Sequence, residues 1–229
     1  LVKTITGQMT VGEIAVEVPK SGDIFRAYHI DFVNRGNQSL SDAAFEHDVP
    51  IENILYEINN LGTENEDGID IKYMDETSIV RYIQRRYHED LKDELPVLEP
   101  YVEKMVKEKP EEAELSEVFL NFSDTVLDHT DEEDLNVFPL LESYLDQPSE
   151  DKRGALKPKL KKLKNEHKDI TEFFVRMREI TNDFIPAEGD SGALRLVYMR
   201  LEKLEKDSFD HIHLENNILF ERIRNKVRA

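Results

Sequence analysis

The run His129-Thr-Asp-Glu-Glu133-Asp-Leu-Asn-Val-Phe138 returns near the end of the chain as His211-Ile-His-Leu-Glu215-Asn-Asn-Ile-Leu-Phe220, each inside a long stretch of helical periodicity. Residues four apart on an α-helix stack on one face, so each copy aims an imidazole and a carboxylate at one point. Each is half of a metal site. A solitary histidine precedes each copy at a similar distance, His88 before His129 and His167 before His211, and both solitary residues belong to a His-x-Asp phrase. Helix with His, helix with His and Glu, then the same again predicts an all-α protein. Its core is an up-down four-helix bundle whose inward side chains meet around two metal ions.

A solvent-facing His-xxx-Glu pair is common and stabilises a helix by only about 0.2–0.5 kcal/mol. Phase separates that case from this one. Val126 and Val137 flank the first pair and Leu204 and Ile218 the second, so both pairs lie on the apolar stripe and face inward. Imidazoles and carboxylates buried without partners cost several kcal/mol, a cost that a bound metal removes. The predicted ligands are His88, His129, Glu133, His167, His211 and Glu215, with no catalytic group expected apart from them. Each ion then receives two imidazoles, and Glu133 and Glu215 each bridge both ions. Six-coordinate iron keeps room for a bridging oxo or hydroxo group and an exchangeable position. The donor set suits two Fe ions, with Mn as the alternative, better than structural Zn, which closes a tetrahedral site.

The neighbouring polar residues carry plainer expectations. His213 sits about 200° around the helix from His211 and is expected to face solvent. His29 and His47 read as surface or packing residues. Asp131, Glu132 and Asp134 read as solvated or supporting groups, Asp134 being placed to orient a ligand. Glu166, beside His167, reads as helix surface or the lining of an access path. Phe138 and Phe220 read as core residues that keep the site dry.

Composition excludes several classes. The 229 residues carry a formal net charge of −19, which argues against a phosphate-backbone partner, since such binding runs on Lys and Arg displacing counterions. The same charge disfavours anionic membrane surfaces and favours solubility. There is no cysteine, so neither disulfides nor thiolate ligation of zinc or an iron–sulfur cluster is available to these residues, which is compatible with a cytoplasmic location. No apolar run approaches the roughly 20 residues needed to cross a bilayer. The beginning, Leu1-Val-Lys-Thr4, has neither an initiator Met nor an apolar leader, and nothing about targeting is read from it.

Residues 1–61 read as a small helical domain with frequent stops. Thr10-Val-Gly-Glu13 has the capping-box pattern, Pro19 and Gly22 interrupt, and Pro50 precedes a first helical turn. Val11, Ile14, Ile24, Phe25, Ile30, Phe32, Leu40, Phe45, Ile54, Leu55 and Ile58 supply its predicted core. Residues 62–76, rich in Gly, Asn, Glu and Asp, read as a linker. Residues 77–229 read as the bundle. Thr77 or Ser78 is expected to cap its first helix, which should bend after His88 because of Pro96 and Pro100. The second helix should span 110–144 with a kink or break at Pro139, the third should run to about Phe184, and Ser191 should cap the fourth.

Arg86-Tyr87-His88, His129-xxx-Glu133 running into Val137-Phe138-Pro139, Glu166-His167 and the whole of 211–220 resemble the hemerythrin-like di-iron proteins of the RIC (repair of iron centres) family, also called ScdA/YtfE-type iron–sulfur cluster repair proteins. Thr10-Val-Gly-Glu-Ile14, Asp23-Ile-Phe25 and Ile30-Asp-Phe32 extend the resemblance over almost the whole chain. The family places Cys-Cys-Gly-Gly after that Asp-Phe, where this chain has Val33-Asn34-Arg35-Gly36. The resemblance implies a small N-terminal domain of the ScdA type lacking its thiol pair, and a non-haem di-iron centre on the six residues above. It also implies repair of iron–sulfur clusters after oxidative or nitrosative damage, by iron supply or by processing nitric oxide. Damaged iron–sulfur proteins and small gases (NO, O₂) are the implied partners, and homodimerisation through the front domain is compatible with it. A hemerythrin-like O₂ or NO binding or sensing protein, or a nitric oxide reductase, is the alternative reading.

Overall fold

The computed structural model describes residues 4–61 and 71–228. Among the described residues there are eight helices and no strand, apart from a single bridged pair, Thr10 with Ser39. None of these helices is long and apolar enough to cross a membrane. The helices are α1 (Val11–Glu17), α2 (Ser21–Ala27), α3 (Leu40–Glu46) and α4 (Ile51–Asn59), followed by four long ones. The long helices are α5 (Glu76–Ile83, Gln84–His88, Glu89–Glu108), α6 (Glu114–Glu132, Glu133–Val137, Phe138–Asp146), α7 (Glu150–Thr181) and α8 (Gly192–His213, Leu214–Leu219, Phe220–Arg228). The middle segment of α5, α6 and α8 is a widened π-helical turn. The chain gathers into two compact units, Leu1–Ile79 with Phe209–Ala229, and Val80–Ser208, the divisions falling within α5 and α8.

In the first unit, α1 starts where the sequence places it. Thr10 Oγ1 accepts from the Glu13 amide at 3.2 Å, and the Glu13 carboxylate accepts from the Thr10 amide at 3.1 Å. Ser39 caps α3 by accepting from the Asp42 amide. Pro19 separates α1 from α2, whereas Gly22 lies inside α2 rather than interrupting it. Between α2 and α3, Asp31 Oδ1 accepts from the amides of Val33 and Asn34 and folds a tight loop. That loop is pinned to α1 by Gly12 N donating to Gly36 O at 2.8 Å. The core of this unit contains the expected apolar residues except two: Phe45 is 84% exposed and Leu55 half-buried. Arg222, near the end of α8, donates to the carbonyls of Lys72 and Met74. Of the expected linker, 62–70 lies outside the described residues, and Ile71–Tyr73 forms a short 3₁₀ turn.

The second unit is built from α5 beyond Val80, α6, α7 and the first part of α8, running alternately up and down. Phe119, Phe122 and Phe174 fill its centre, the rings of Phe122 and Phe174 meeting edge to face at 4.7 Å. Ion pairs join the helices: Lys92 of α5 to Asp131 of α6, Arg176 of α7 to Glu114 of α6, and Arg200 of α8 to Glu94 of α5. Far from the paired His and Glu residues, Glu112 is buried with the Tyr198 hydroxyl 2.6 Å from its oxygens and Lys109 Nζ at 3.0 Å. Lys109 also reaches Asp190 at 3.1 Å. The α7–α8 connection turns through three consecutive left-handed residues, Asn182, Asp183 and Phe184. Arg178 holds that turn, pairing with Asp183 and with Glu205 while its guanidinium lies over the Phe184 ring.

Several helix details differ from the sequence expectation. Asp75, not Thr77 or Ser78, caps α5, its Oδ1 accepting from the Ser78 amide at 2.7 Å. Glu89–Glu108 stays helical through Pro96 and Pro100, following directly on the π-turn Gln84–His88. The two prolines lie four apart on the exposed face, so the carbonyls they leave without a helical donor are turned to water. The irregularity expected at Pro139 occurs just before it, as the π-turn Glu133–Val137. The third helix ends at Thr181, with Asn182 in the left-handed region. Ser191 caps α8 as expected, accepting from the Leu194 amide.

Candidate metal centre

The six predicted ligand residues are all buried, none more than 3% exposed. Four belong to the second unit and come from α5, α6 and α7. His88 Nε2 lies 3.4 Å from Glu133 Oε2, while His129 Nε2 lies 3.4 Å from the other oxygen, Oε1. His167 Nε2 lies 3.9 Å from that same Oε1 and 3.0 Å from His129 Nε2. Donor atoms of His129, Glu133 and His167 are all within 4.8 Å of one another. Two nitrogens that each bind one first-row ion at about 2.1 Å, at right angles, stand about 3.0 Å apart. The His129–His167 pair has that spacing. In the first unit, on α8, His211 Nε2 lies 3.2 Å from Glu215 Oε1, which repeats the His129–Glu133 pair.

Carboxylates outside the candidate ligand set hold two of the imidazoles. His88 Nδ1 lies 2.8 Å from Asp134 Oδ1, and His129 Nδ1 lies 3.0 Å from Glu166 Oε2. Each carboxylate accepts the Nδ1 proton, which leaves the Nε2 lone pair of the same ring facing Glu133. Burial alone would raise the Asp134 carboxyl. The hydrogen bond and charge of His88, with Gln84 and Lys92, outweigh it and hold the group at about 2. Glu166 is held at about 2 first by the hydrogen bond from His129, with burial opposing and Lys162 assisting. Lys92 bridges Asp134 and Asp131, and Lys162 lies 2.8 Å from Glu166 Oε1. Imidazoles whose Nδ1 is tied to a carboxylate and whose Nε2 faces a buried carboxylate are a donor set that fits a divalent transition ion.

Local helix geometry helps to present these groups. Each of the three π-turns among the described residues contains a candidate ligand: Gln84–His88 ends on one, Glu133–Val137 opens on one, and Leu214–Leu219 holds Glu215 as its second residue. Such turns are rare and concentrate at functional sites, because one extra residue per turn re-aims the side chains that follow. On α7, His167 sits in uninterrupted α-helix. Sequence periodicity does not reveal the π-turns; Pro139 gives the only hint. Phe138, buried, stacks on the His88 ring at 5.8 Å and 12°, and Phe220 is also buried.

The supporting residues divide. Asp134 bonds the Nδ1 of candidate ligand His88, and partly exposed Glu166 bonds the Nδ1 of candidate ligand His129. Asp131 pairs with Lys92 and Glu132 with Lys159, both away from the imidazoles. His29 and His47 are exposed. His213 corrects the expectation of a solvent-facing residue: it is 6% exposed, and burial lowers its pKa to about 4. Its Nδ1 accepts from Asn217 Nδ2 at 3.0 Å, and its ring packs on Phe32 at 5.5 Å. Phe32 comes from the loop between α2 and α3, a neighbour that a helical wheel cannot reveal.

Comparison with known proteins gives two family matches. Residues 80–223 match the Hemerythrin HHE cation binding domain, a span that includes all six ligand candidates. Residues 7–62 match a family described as Domain of Unknown function (DUF542). The chain is 35% identical over 220 residues to the iron–sulfur cluster repair protein ScdA of Staphylococcus haemolyticus, covering 94% of this chain and 98% of that one. It is 33% identical over 225 residues to ScdA of Staphylococcus epidermidis, covering 96% and 99%. To the iron–sulfur cluster repair protein YtfE of Pectobacterium atrosepticum it is 27% identical over 217 residues, covering 93% and 95%.

Proposed function

Because this chain belongs to the ScdA/YtfE family of iron–sulfur cluster repair proteins, built on a hemerythrin HHE cation binding domain, we propose that it restores iron–sulfur clusters lost to oxidative or nitrosative damage, using a pair of iron ions. His88, His129, Glu133, His167, His211 and Glu215 are the residues that would hold the ions. Support comes from the split at Glu133: one oxygen faces His129 and His167, the other faces His88. Manganese is the alternative occupant, since the same imidazole and carboxylate donors suit it. When bound, such a pair supplies one-electron chemistry and an exchangeable position for a small ligand such as NO or O₂.

The protein's own residues set the conditions. Asp134 and Glu166 hold the His88 and His129 protons on Nδ1 and keep Nε2 available as a ligand. Phe138 covers the His88 ring and excludes water from that side. Glu133 has its carboxylate wholly buried, so the stability of its charge depends on the groups around it. These 229 residues contain no thiol, so iron or electrons pass to a client without a cysteine relay on this stretch of chain. Damaged iron–sulfur proteins are the clients in this reading, and a cytoplasmic location accompanies it.

The observation that carries the proposal is the buried imidazole–carboxylate set with its Nδ1 atoms tied outward. The test is recovery of a cluster-damaged dehydratase by iron-loaded protein, compared with an equal amount of free ferrous salt and with a His129→Ala variant. Faster or fuller recovery by the loaded wild type is expected. Equal recovery by the salt alone contradicts repair. Nitrous oxide formation without client recovery transfers the site to nitric oxide reduction.

A further inference from the structure

The two residues after Glu215 are asparagines, and both reach the loop between α2 and α3. Asn216 Nδ2 donates to Val33 O at 3.1 Å, and Asn217 Nδ2 donates to Phe32 O at 3.0 Å. Asn216 is 2% exposed, so its amide is satisfied inside the protein rather than by water. The second hydrogen of Asn217 Nδ2 goes to His213 Nδ1, at 3.0 Å, and the Phe32 ring packs on that imidazole. The loop approaches closely because residue 36 is glycine: a Cβ there would lie 2.4 Å from Asn217 Oδ1. Asp31 then fixes the loop from its own side by accepting the Val33 and Asn34 amides.

These contacts fall in the π-turn Leu214–Leu219, where the helical ladder is widened by an i→i+5 pattern. Glu215 sits on this turn immediately before the two asparagines. We propose that Asn216 and Asn217 are positioning residues for Glu215, through which the Phe32–Val33 loop of the N-terminal segment sets how tightly the metal centre holds its ions. This rests on the assignment of Glu215 as a ligand. Its consequence is reciprocal: if the loop favours metal binding, bound metal must stabilise the loop by the same factor.

The test uses the full chain, with Mn(II) as probe, in wild type, Asn216→Ala/Asn217→Ala and Gly36→Ala. The last displaces the Asn217 amide from the loop side and leaves both asparagines in place. Two quantities are read: the rate at which a chelator strips Mn(II), and amide hydrogen exchange across residues 31–36 with and without metal. In wild type, metal is expected to slow exchange in the loop. Both variants are expected to lose metal about tenfold faster, in the range found for groups that orient ligands, and to show loop exchange that no longer responds to metal. A folded variant with wild-type metal loss and wild-type metal-dependent protection overturns the proposal and leaves the asparagines as fold staples. Wild type that binds Mn(II) with loop exchange blind to it overturns the coupling alone. Wild type that binds neither Mn(II) nor Fe(II) refutes the metal reading beneath it. Should the double variant fail to fold, Gly36→Ala and Asn217→Ser carry the same comparison.

Discussion

Replacing Asp134 with alanine removes the acceptor that holds the His88 proton on Nδ1. The bond is 2.8 Å long, charge-assisted, and made by a carboxylate that is 19% exposed, so water replaces it only in part. A hydrogen bond to a charged group contributes about 1.5–3 kcal/mol. At about 1.4 kcal/mol per factor of ten, metal affinity should fall roughly 10- to 100-fold, in line with other groups that orient a ligand. Asp134→Asn retains an acceptor without the charge, so it should lose less than alanine does. Lys92 keeps Asp131 as a partner in both variants, which limits collateral damage to the α5–α6 contact. The assay is anaerobic competition between protein and a chromophoric chelator for Mn(II) and for Fe(II), with folding checked by circular dichroism. A folded Asp134→Ala protein that binds within twofold of wild type refutes the claim that this carboxylate tunes the site.

Three further outcomes are expected. Glu166 sits at about 2, below its ordinary 4.5, so in metal-free protein it contributes stability that is complete above about pH 4.5 and is lost as pH falls through about 2; Glu166→Gln should flatten that acid slope, and an unchanged slope in urea denaturation counts against the His129 pairing. In Gly12→Ala the new Cβ would meet the Gly36 carbonyl oxygen at 2.7 Å, backbone against backbone, and should destabilise the protein by about 1–3 kcal/mol; a melting temperature equal to wild type would show that the loop is not packed there as described. Tyr198→Phe deletes the hydroxyl beside buried Glu112 and should cost about 1–3 kcal/mol in chemical denaturation with metal affinity unchanged, whereas weakened metal binding would break the separation of that network from the site.

The parts of the fold that local chemistry dictates were legible in advance. Thr10 with Glu13, and Ser191 before Leu194, announce helix starts because a short oxygen-bearing side chain can satisfy an amide three residues on. The His129–Glu133 and His211–Glu215 pairs were legible because helical spacing alone sets which side chains share a face. Long-range packing was not legible. The angle of His213 on α8 points it to solvent, yet the ring that packs on it belongs to Phe32, remote in sequence. Phe45 was read as core from its hydrophobicity, and the turn of α3 points it outward. Thr77 and Ser78 stand nearer the apolar run, yet Asp75 is the residue whose oxygen reaches an amide three residues on. The π-turns left no periodic signature, since one inserted residue per turn disturbs the pattern no more than an ordinary mismatch does.

Asn216 and Asn217 take hold of peptide oxygens at positions 32 and 33, and a peptide oxygen is the same whichever residue carries it. The acceptors of the clasp therefore do not depend on which side chains positions 32 and 33 carry. A pair of cysteines could be written into Val33 and Asn34 while the asparagines keep their peptide acceptors, so reactive sulfur could be added or withheld without rewriting the contact that joins this loop to α8.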